Sequence, residues 1–560
     1  VYNPQNPLIV QSDKTILLET ASPRFEEARD QLSVFAELLK SPEHIHTWRI
    51  SPLSLWNAAA LGFTAPQIRA WLLDLSKYEV PDNILVEVDD QMGRYGRLRL
   101  TRELDGRMFL TSQDLLLLEE VCGHHAVQPF LDGVRLGDKV QIKADERGFV
   151  KQALIKIGFP VEDLAGYVTG DPLPLALRDQ MLGGDAFALR DYQNEAVASF
   201  YAGGGERGGS GVVVLPCGAG KTVVGIGAMA RLQTHTLILT TNTTSLRQWR
   251  DEILDKTGLD PEQIGEYSGL SKEVCPVTLT TYQLLTWRKS RTGPFKHFAL
   301  FNERNWGLII YDEVHLLPAP VFRAVANLQS RRRLGLTATL VREDGKEDEV
   351  FSLIGPKKYD VPWRVLERRG FIAHATCTEV RVPFEDNELR MEYALADPRQ
   401  KFRLASINPS KLRVLKRLIA EHEHEQLLII GQYIEQLEDI SNLFRLPIIT
   451  GSTPQKQREV LYEQFRTGEV KRLVVSKVAN FAVDLPDASV AIQLSGTFGS
   501  RQEEAQRLGR VLRPKKGDNL ARFYSIVTRD STEQELARKR QLFLTEQGYR
   551  YEIVNEASGI

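Results

Sequence analysis

The chain has 560 residues, 42% hydrophobic and 26% charged, and a formal net charge of −2. At a usual domain size of roughly 100–150 residues, this length predicts about three to five domains. The composition lies near the average for globular proteins, which excludes collagen-like, low-complexity and disulfide-scaffold chains. No apolar run approaches the ~18 residues of a membrane span, and the opening Val1-Tyr2-Asn3-Pro4 lacks the basic and apolar regions of a signal peptide. A cytoplasmic, trimmed chain without membrane association is expected. The four cysteines, Cys122, Cys217, Cys275 and Cys377, are too far apart for a CxxC pair, so a zinc or iron–sulfur site is not expected from them. Residues 1–180 sum to −7 and residues 181–560 to +5, which puts any phosphate-binding surface in the larger, C-terminal part.

In chain order, Leu8-Ile9-Val10 and Thr15-Ile16-Leu17-Leu18 predict a short hairpin around Ser12-Asp13-Lys14. Phe25 to Leu39 has helical apolar spacing through Leu32, Phe35, Leu38 and Leu39. Thr64-Ala65-Pro66, followed by Ile68, Trp71, Leu72 and Leu75, predicts an N-capped helix. Residues 84–157 alternate strand-like runs with polar turns, so 1–165 reads as an N-terminal α+β region of one or two small modules. Six glycines and prolines make 166–188 a linker candidate, and the glycine-rich 203–211 stretch reads as a surface loop.

From Leu189 the rhythm changes. Apolar runs at 212–215, 236–239, 277–280 and 308–311 alternate with amphipathic helices at 221–232 and 245–257. The same rhythm restarts with runs at 427–430, 447–449, 473–475, 490–492 and 523–526. Fully apolar strands separated by helices predict parallel sheets covered on both faces. The fold class is therefore α/β, with two parallel-sheet domains in tandem over 189–365 and 366–549, followed by a C-terminal tail at 550–560.

The first of these strands runs into Pro216-Cys217-Gly218-Ala219-Gly220-Lys221-Thr222 and then a helix. Glycines let the backbone approach a phosphate, and a helix N-terminus offers free N–H groups. Lys221 suits the β/γ-phosphates and the Thr222 hydroxyl suits Mg²⁺. Leu215 stands where the general phosphate-loop pattern has its first glycine, so this is a variant loop. Further on, Leu308-Ile309-Ile310-Tyr311 delivers Asp312-Glu313-Val314-His315 at a strand end. Asp312 suits Mg²⁺ and Glu313 suits polarising the attacking water.

Through these two elements the sequence resembles superfamily 2 helicases, and the remaining motifs follow in order. Leu189-Arg190-Asp191-Tyr192-Gln193 resembles the adenine-reading Q motif, Gln248-Trp249 motif Ia and Thr281-Tyr282-Gln283 motif Ib. Thr337-Ala338-Thr339 resembles motif III, Val474 to Asp484 motif V, and Gln506-Arg507-Leu508-Gly509-Arg510-Val511-Leu512-Arg513 motif VI. Arg342-Glu343-Asp344 is similar to the RED element of XPB helicases of repair and transcription, and Pro7 to Glu19 looks like the bacterial XPB type.

The resemblance implies two RecA-like domains with a small helical thumb near 387–407, and an ATP-dependent 3′→5′ DNA helicase acting in repair. It implies ATP contacts by Arg190, Gln193, Gly218, Gly220, Lys221, Thr222, Asp484 and Gln506, and arginine fingers at Arg510 and Arg513. It also implies coupling of hydrolysis to movement through His315, Thr337 and Thr339. DNA contact or strand separation falls to Gln248, Thr281, Arg342, Glu343, Asp344, Ser476 and Lys477. The N-terminal modules would engage DNA, and a structure-specific nuclease would be the partner. Motif V departs from many relatives with Ala482-Val483 before Asp484.

Several alternatives stay open at this level. Trp249 fits stacking on a base or burial in its helix, and Tyr282 fits internal packing. Arg342-Glu343-Asp344 fits a wedge or a surface turn. His124-His125 and the 421–425 stretch read as solvated turns rather than metal sites. An ATP-gated duplex translocase or scaffold that opens DNA locally and recruits a nuclease is the alternative function, and an RNA helicase the third.

Overall fold

The computed structural model describes residues 2–40, 44–143, 146–205, 208–216, 218–289, 295–318, 320–321, 325, 328, 331–338, 347–361, 363–371, 373–476, 488–495, 520–546 and 550–556. The chain divides into two compact units, one drawn mainly from residues up to Val361 and one mainly from those after it.

The hairpin expected at the N-terminus forms. Strand β1 (Leu8–Val10) pairs antiparallel with β2 (Thr15–Glu19), and Lys14 takes φ 72° to turn the chain. Helix α1 (Phe25–Phe35) stops four residues short of the expected Leu39. Ala36 adopts φ −137°, ψ 159°, and Leu38 and Leu39 go into strand β3 (Glu37–Lys40) instead. Strand β4 (Ile45–Arg49) and helix α2 (Pro52–Ala60) follow. Helix α3 (Ala65–Leu75) begins as expected, with Gln67 accepting from the Thr64 backbone N–H at 2.8 Å. Helix α4 (Asp82–Arg94) occupies part of the region expected to be strand-like. Ile84, Val88 and Met92 recur at four-residue spacing and bury one face, a period that a strand cannot use.

Strands β5 (Leu98–Arg102), β6 (Met108–Thr111), β7 (Leu131–Leu136), β8 (Lys139–Ile142) and β9 (Val161–Asp163) form a five-stranded sheet in the order β7-β8-β6-β5-β9. Helices α5 (Leu115–Gly123) and α6 (Arg147–Lys156) cover it, and Leu100, Leu110, Leu118, Val150 and Leu154 fill the core between them. At its edge, Arg147 and Lys151 both hold Asp163, at 2.7 and 2.9 Å. Burial opposes a charged Asp163, but the two cations outweigh it and hold the carboxyl far below its usual range.

The glycine- and proline-rich 166–188 segment is bonded along its length rather than free. Its backbone N–H groups at Asp171, Leu173 and Arg178 donate to Asn305, Gln233 and Lys256, each at 2.9 Å. Asp171 also accepts from the His235 N–H at 2.8 Å.

Helix α7 (Asp191–Tyr201) leads into the first parallel sheet. The sheet contains β10 (Ser210–Val214), β11 (Thr236–Thr240), β12 (Ile264–Tyr267), β13 (Val277–Thr281), β14 (Leu308–Asp312), β15 (Arg332–Thr337) and β16 (Lys357–Asp360), in the order β12-β13-β11-β14-β15-β10-β16. Helices α8 (Lys221–Leu232), α9 (Thr243–Lys256) and the short α10 (Tyr282–Leu285) connect these strands. Val212, Leu237, Leu239, Ile309 and Tyr311 lie in one buried cluster, which is why their strands read as continuous apolar runs.

The second parallel sheet contains β17 (His374–Val382), β18 (Leu427–Gly431), β19 (Ile448–Ile449), β20 (Arg472–Ser476), β21 (Val490–Gln493), β22 (Leu520–Thr528) and β23 (Arg550–Asn555), in the order β19-β20-β18-β21-β22-β17-β23. The expected 550–560 tail is corrected here, because Arg550–Asn555 pairs in parallel with β17 as an edge strand. Tyr551 secures it by donating its hydroxyl to the buried Glu379 of β17 at 2.5 Å. Two helices, Asn387–Leu395 and Pro398–Ser406, occupy the 387–407 region. Elsewhere in this unit Lys411 forms a fully buried ion pair with Glu533 at 2.7 Å. Among the described residues no helix is long and apolar enough to cross a membrane.

Candidate active site

The first parallel sheet brings the phosphate-loop helix and the acidic strand end to the same edge. Strand β10 ends at Val214, and the Leu215 N–H donates to the Thr337 carbonyl of β15 at 3.0 Å. The loop then turns through Gly218 and Gly220, both at φ 80°, into α8. Gly220 is required by its backbone, and it also leaves room for a neighbouring side chain. Its φ is one that L side chains rarely adopt, and a Cβ there would lie 2.6 Å from the Gln193 Nε2. Lys221 and Thr222 are the first two residues of α8, where backbone N–H groups lack helical acceptors.

Asp312 is the last residue of β14, and Glu313 follows with φ 49° and ψ 56°. A left-handed backbone is uncommon outside glycine, and such conformations cluster at functional sites. This one delivers Glu313 to Lys221, with the Lys221 Nζ 3.1 Å from Oε1. The other carboxylate oxygen lies 3.5 Å from the His315 Nδ1, and that nitrogen is 2.6 Å from the Thr337 hydroxyl. Lys221, Glu313, His315 and Thr337 thus form one continuous chain of contacts.

The two adjacent carboxyls are driven apart. Burial, then the charge of Glu313, raises Asp312 to about 6. Burial also works to raise Glu313, but Lys221 and then His315 overcome it and keep the group below its ordinary value. One site therefore holds a readily ionised carboxylate beside one that gives up its proton nearer neutrality, and a divalent cation would favour the charged form of the second.

The structure places five of the other expected residues. Gln193 is buried beside Gly220 and accepts from the Arg190 backbone N–H at 2.9 Å. Arg190 donates to the Tyr192 hydroxyl at 3.2 Å. Gln248 is half-buried on α9. The Thr281 hydroxyl caps α10 by accepting from the Leu284 N–H at 3.3 Å, and Ser476 is buried at the end of β20. Thr339, Arg342, Glu343, Asp344, Lys477, Asp484, Gln506, Arg510 and Arg513, with Cys217 of the loop, lie outside the described residues.

Two residues at the site carry roles that sequence reasoning did not assign. Trp249 is 1% exposed, which favours the buried reading over base stacking. Its indole N–H donates to the Asp312 Oδ2 at 3.0 Å. Tyr282 packs internally and donates its hydroxyl to the Asp312 carbonyl at 2.8 Å. Nothing in the spacing of either residue signals these bonds, because both partners are distant in sequence and meet only across the sheet.

The donor set fits a nucleoside triphosphate with a divalent cation. A glycine cradle that a Cβ would fill, a helix N-terminus, a lysine, a hydroxyl and a hard carboxylate stand together.

Residues 366–560 match the family model described as ERCC3/RAD25/XPB C-terminal helicase. Residues 186–342 match one described as type III restriction enzyme, res subunit, and residues 8–134 match one described as helicase conserved C-terminal domain. The "DNA 3'-5' helicase XPB" of Kineococcus radiotolerans is 55% identical over 98% of this chain and 96% of its own length. The chain belongs to the XPB helicase family.

A second XPB relative, the "DNA 3'-5' helicase XPB" of Mycobacterium tuberculosis, is 53% identical over 99% of this chain and 98% of its own. The "General transcription and DNA repair factor IIH helicase/translocase subunit XPB" of Antonospora locustae is 34% identical over 99% of this chain and 82% of its own. Among solved structures, the DNA-bound ATP-dependent type ISP restriction-modification enzyme LlaBIII matches with a TM-score of 0.50 at 14% identity, over 67% of this chain and 32% of that one. That likeness concerns the fold alone.

Proposed function

We propose that this XPB-family chain is an ATP-driven 3′→5′ DNA helicase that separates duplex DNA during repair. The observation that carries the reading is the contact chain from Lys221 through Glu313 and His315 to Thr337. It joins a phosphate-loop cation, a water-activating carboxylate and the start of the motif III segment in one buried network. The family relatives, described as DNA 3'-5' helicases, support the direction and substrate.

Lys221 and the N-terminal N–H groups of α8 bind the β/γ-phosphates. Gln193 and Arg190 hold the nucleotide from the α7 side, together with Asp484 and Gln506. Thr222 and Asp312 would hold Mg²⁺, which would supply positive charge against the phosphate oxygens. Glu313 accepts the proton of the attacking water, and its separation from Asp312 in proton affinity suits that work. His315, Thr337 and Thr339 are assigned to coupling hydrolysis to movement, a role supported by the contacts of His315 with Glu313 and Thr337. Arg510 and Arg513 are assigned as arginine fingers that stabilise charge in the transition state.

Gln248, Thr281, Ser476 and Lys477 are assigned to the DNA backbone, so sequence preference is low. Arg342, Glu343 and Asp344 are assigned to strand separation, and the helices Asn387–Leu395 and Pro398–Ser406 to the thumb. The domain reading keeps N-terminal DNA-engaging modules before two RecA-like domains. A cytoplasmic location and a structure-specific nuclease as partner complete the proposal.

Nucleic-acid-stimulated ATP turnover tests it. DNA is expected to stimulate turnover more than RNA of matched sequence, and Lys221→Ala is expected to abolish the response. Equal stimulation by RNA, or wild-type turnover in the variant, would overturn the assignment.

A further inference from the structure

Asp312 is the proposed metal carboxylate, and it is held from two directions by segments the nucleotide reading leaves unused. Trp249 lies in α9 and donates its indole N–H to the Asp312 Oδ2 at 3.0 Å. Tyr282 begins α10, directly after Thr281 of β13, and donates its hydroxyl to the Asp312 main-chain oxygen at 2.8 Å. Both donors are buried, at 1% and 4% exposure. The indole also sits in a notch on the phosphate-loop helix. A Cβ on Gly225 of α8 would come within 2.4 Å of the Trp249 Cη2, so only glycine leaves room for the ring there.

This arrangement fixes Asp312 more fully than a strand terminus does alone. The indole N–H sets the rotation of the carboxylate, and the phenol sets the carbonyl of the same residue. A buried hydrogen bond to a charged acceptor is stronger than a neutral one and restricts orientation. The donors also belong to the segments proposed to touch DNA. Gln248 is the neighbour of Trp249 on one rigid helix, where successive side chains point about 100° apart. Thr281 is the neighbour of Tyr282.

We propose that Trp249 and Tyr282 are positioning residues that set the affinity of Asp312 for the divalent cation, and that strand contact at Gln248 and Thr281 changes that affinity through them. This rests on the ATPase reading above. Trp249 and Tyr282 act through Asp312, one on its carboxylate and one on its carbonyl. Their effect is to hold one carboxylate ready and to make its readiness depend on the strand. Coupling in this direction reaches the metal side of the site, whereas His315 and Thr337 connect its water-activating side to motif III.

The test uses the full chain, a fluorescent ADP analogue and a Mg²⁺ titration, with and without single-stranded DNA. Trp249→Phe keeps an aromatic ring and removes the N–H, and Tyr282→Phe removes only the hydroxyl. Nucleotide affinity in EDTA is expected to stay within about twofold of wild type in both. The Mg²⁺ concentration for half-saturation is expected to rise about tenfold in Trp249→Phe and about threefold in Tyr282→Phe. DNA is expected to lower that concentration in the wild type and to do so less in both variants.

An unchanged Mg²⁺ requirement in the two variants would overturn the proposal while leaving the ATPase reading standing. Equal weakening in EDTA and in Mg²⁺ would also overturn it, because that is the mark of a packing role alone. A wild-type chain whose nucleotide binding ignores Mg²⁺ would instead remove the ATPase reading beneath it. Should Trp249→Phe fail to fold, Tyr282→Phe decides alone, since its lost oxygen leaves the ring packing in place.

Discussion

Replacing Glu313 by Gln separates two functions that meet in one side chain. In the structure Glu313 pairs with Lys221 at 3.1 Å, so the lysine that binds phosphate is engaged by a carboxylate. At that distance and an effective dielectric near 20, the gross attraction is about 5 kcal/mol, most of it offset by desolvation of the two groups. Glu313→Gln removes the competing charge and keeps the shape. Nucleotide affinity is therefore expected to hold or to tighten by up to about tenfold. Hydrolysis is expected to fall by roughly 10²–10⁴, the usual contribution of a positioned general base, or about 3–5 kcal/mol of barrier. Single-turnover hydrolysis and binding of a fluorescent nucleotide on the same preparation measure both quantities. Turnover within about threefold of wild type, or binding weakened about a hundredfold, would refute the reasoning.

Four further outcomes are expected. Lys221→Ala should abolish both nucleotide binding and turnover, and retention of tight binding in a direct titration would contradict the phosphate assignment. Asp163→Asn leaves Arg147 and Lys151 buried without their shared carboxylate, which should cost about 3–5 kcal/mol in denaturant unfolding at neutral pH. The folded value of Asp163 lies below its reference of 3.8, so its stabilisation is complete above about pH 4 and fades as pH falls through the folded value. The variant should show a flatter acid limb, and an unchanged limb would argue against the ion cluster. Lys411→Met strands the buried Glu533 and should cost about 3–5 kcal/mol, with much of the loss recovered when Glu533→Leu is added; no recovery in the melting curves would contradict the pairing argument. The triple change Arg342→Ala, Glu343→Ala, Asp344→Ala should reduce unwinding more than ATP turnover, and equal loss of both would remove the strand-separation role.

The legible parts of the fold were those whose burial is two-sided. β10, β11, β13 and β14 are buried at almost every position because both faces are covered, so they are built from apolar residues with small ones such as threonine and carry no charge before Asp312. β15 was not visible because it opens on Arg332 and Arg333, and Arg333 is buried by donating to the Leu353 carbonyl at 2.8 Å and the Ser210 hydroxyl at 3.0 Å. β17 and β23 carry Glu379, Arg381 and Glu552 among their apolar residues. Pairing of Glu379 with Arg381 and Tyr551 lets charge sit inside a sheet where a hydrophobicity pattern predicts none. Helix α1 ended early because its apolar spacing continues into a strand, and periodicity alone does not report where φ and ψ change.

The site divides in the same way. Lys221, Thr222, Asp312 and Glu313 were legible because phosphate and metal chemistry demand those groups at strand and helix ends. Trp249 was ambiguous because an indole serves a core or a base equally well, and only its 3.0 Å bond to Asp312 gives it a third role. The left-handed backbone of Glu313 had no sequence signal at all, since glutamate is not a residue that signals such a turn.

Strand displacement tests the central claim most directly. Purified chain is mixed with matched 3′-tailed, 5′-tailed and blunt duplex DNA, and ATP turnover is read in the same reactions. The account predicts displacement of the 3′-tailed substrate, none of the other two, and loss of that displacement in Glu313→Gln. Turnover on all three duplexes without displacement of any would contradict it and identify a duplex translocase or local opener instead.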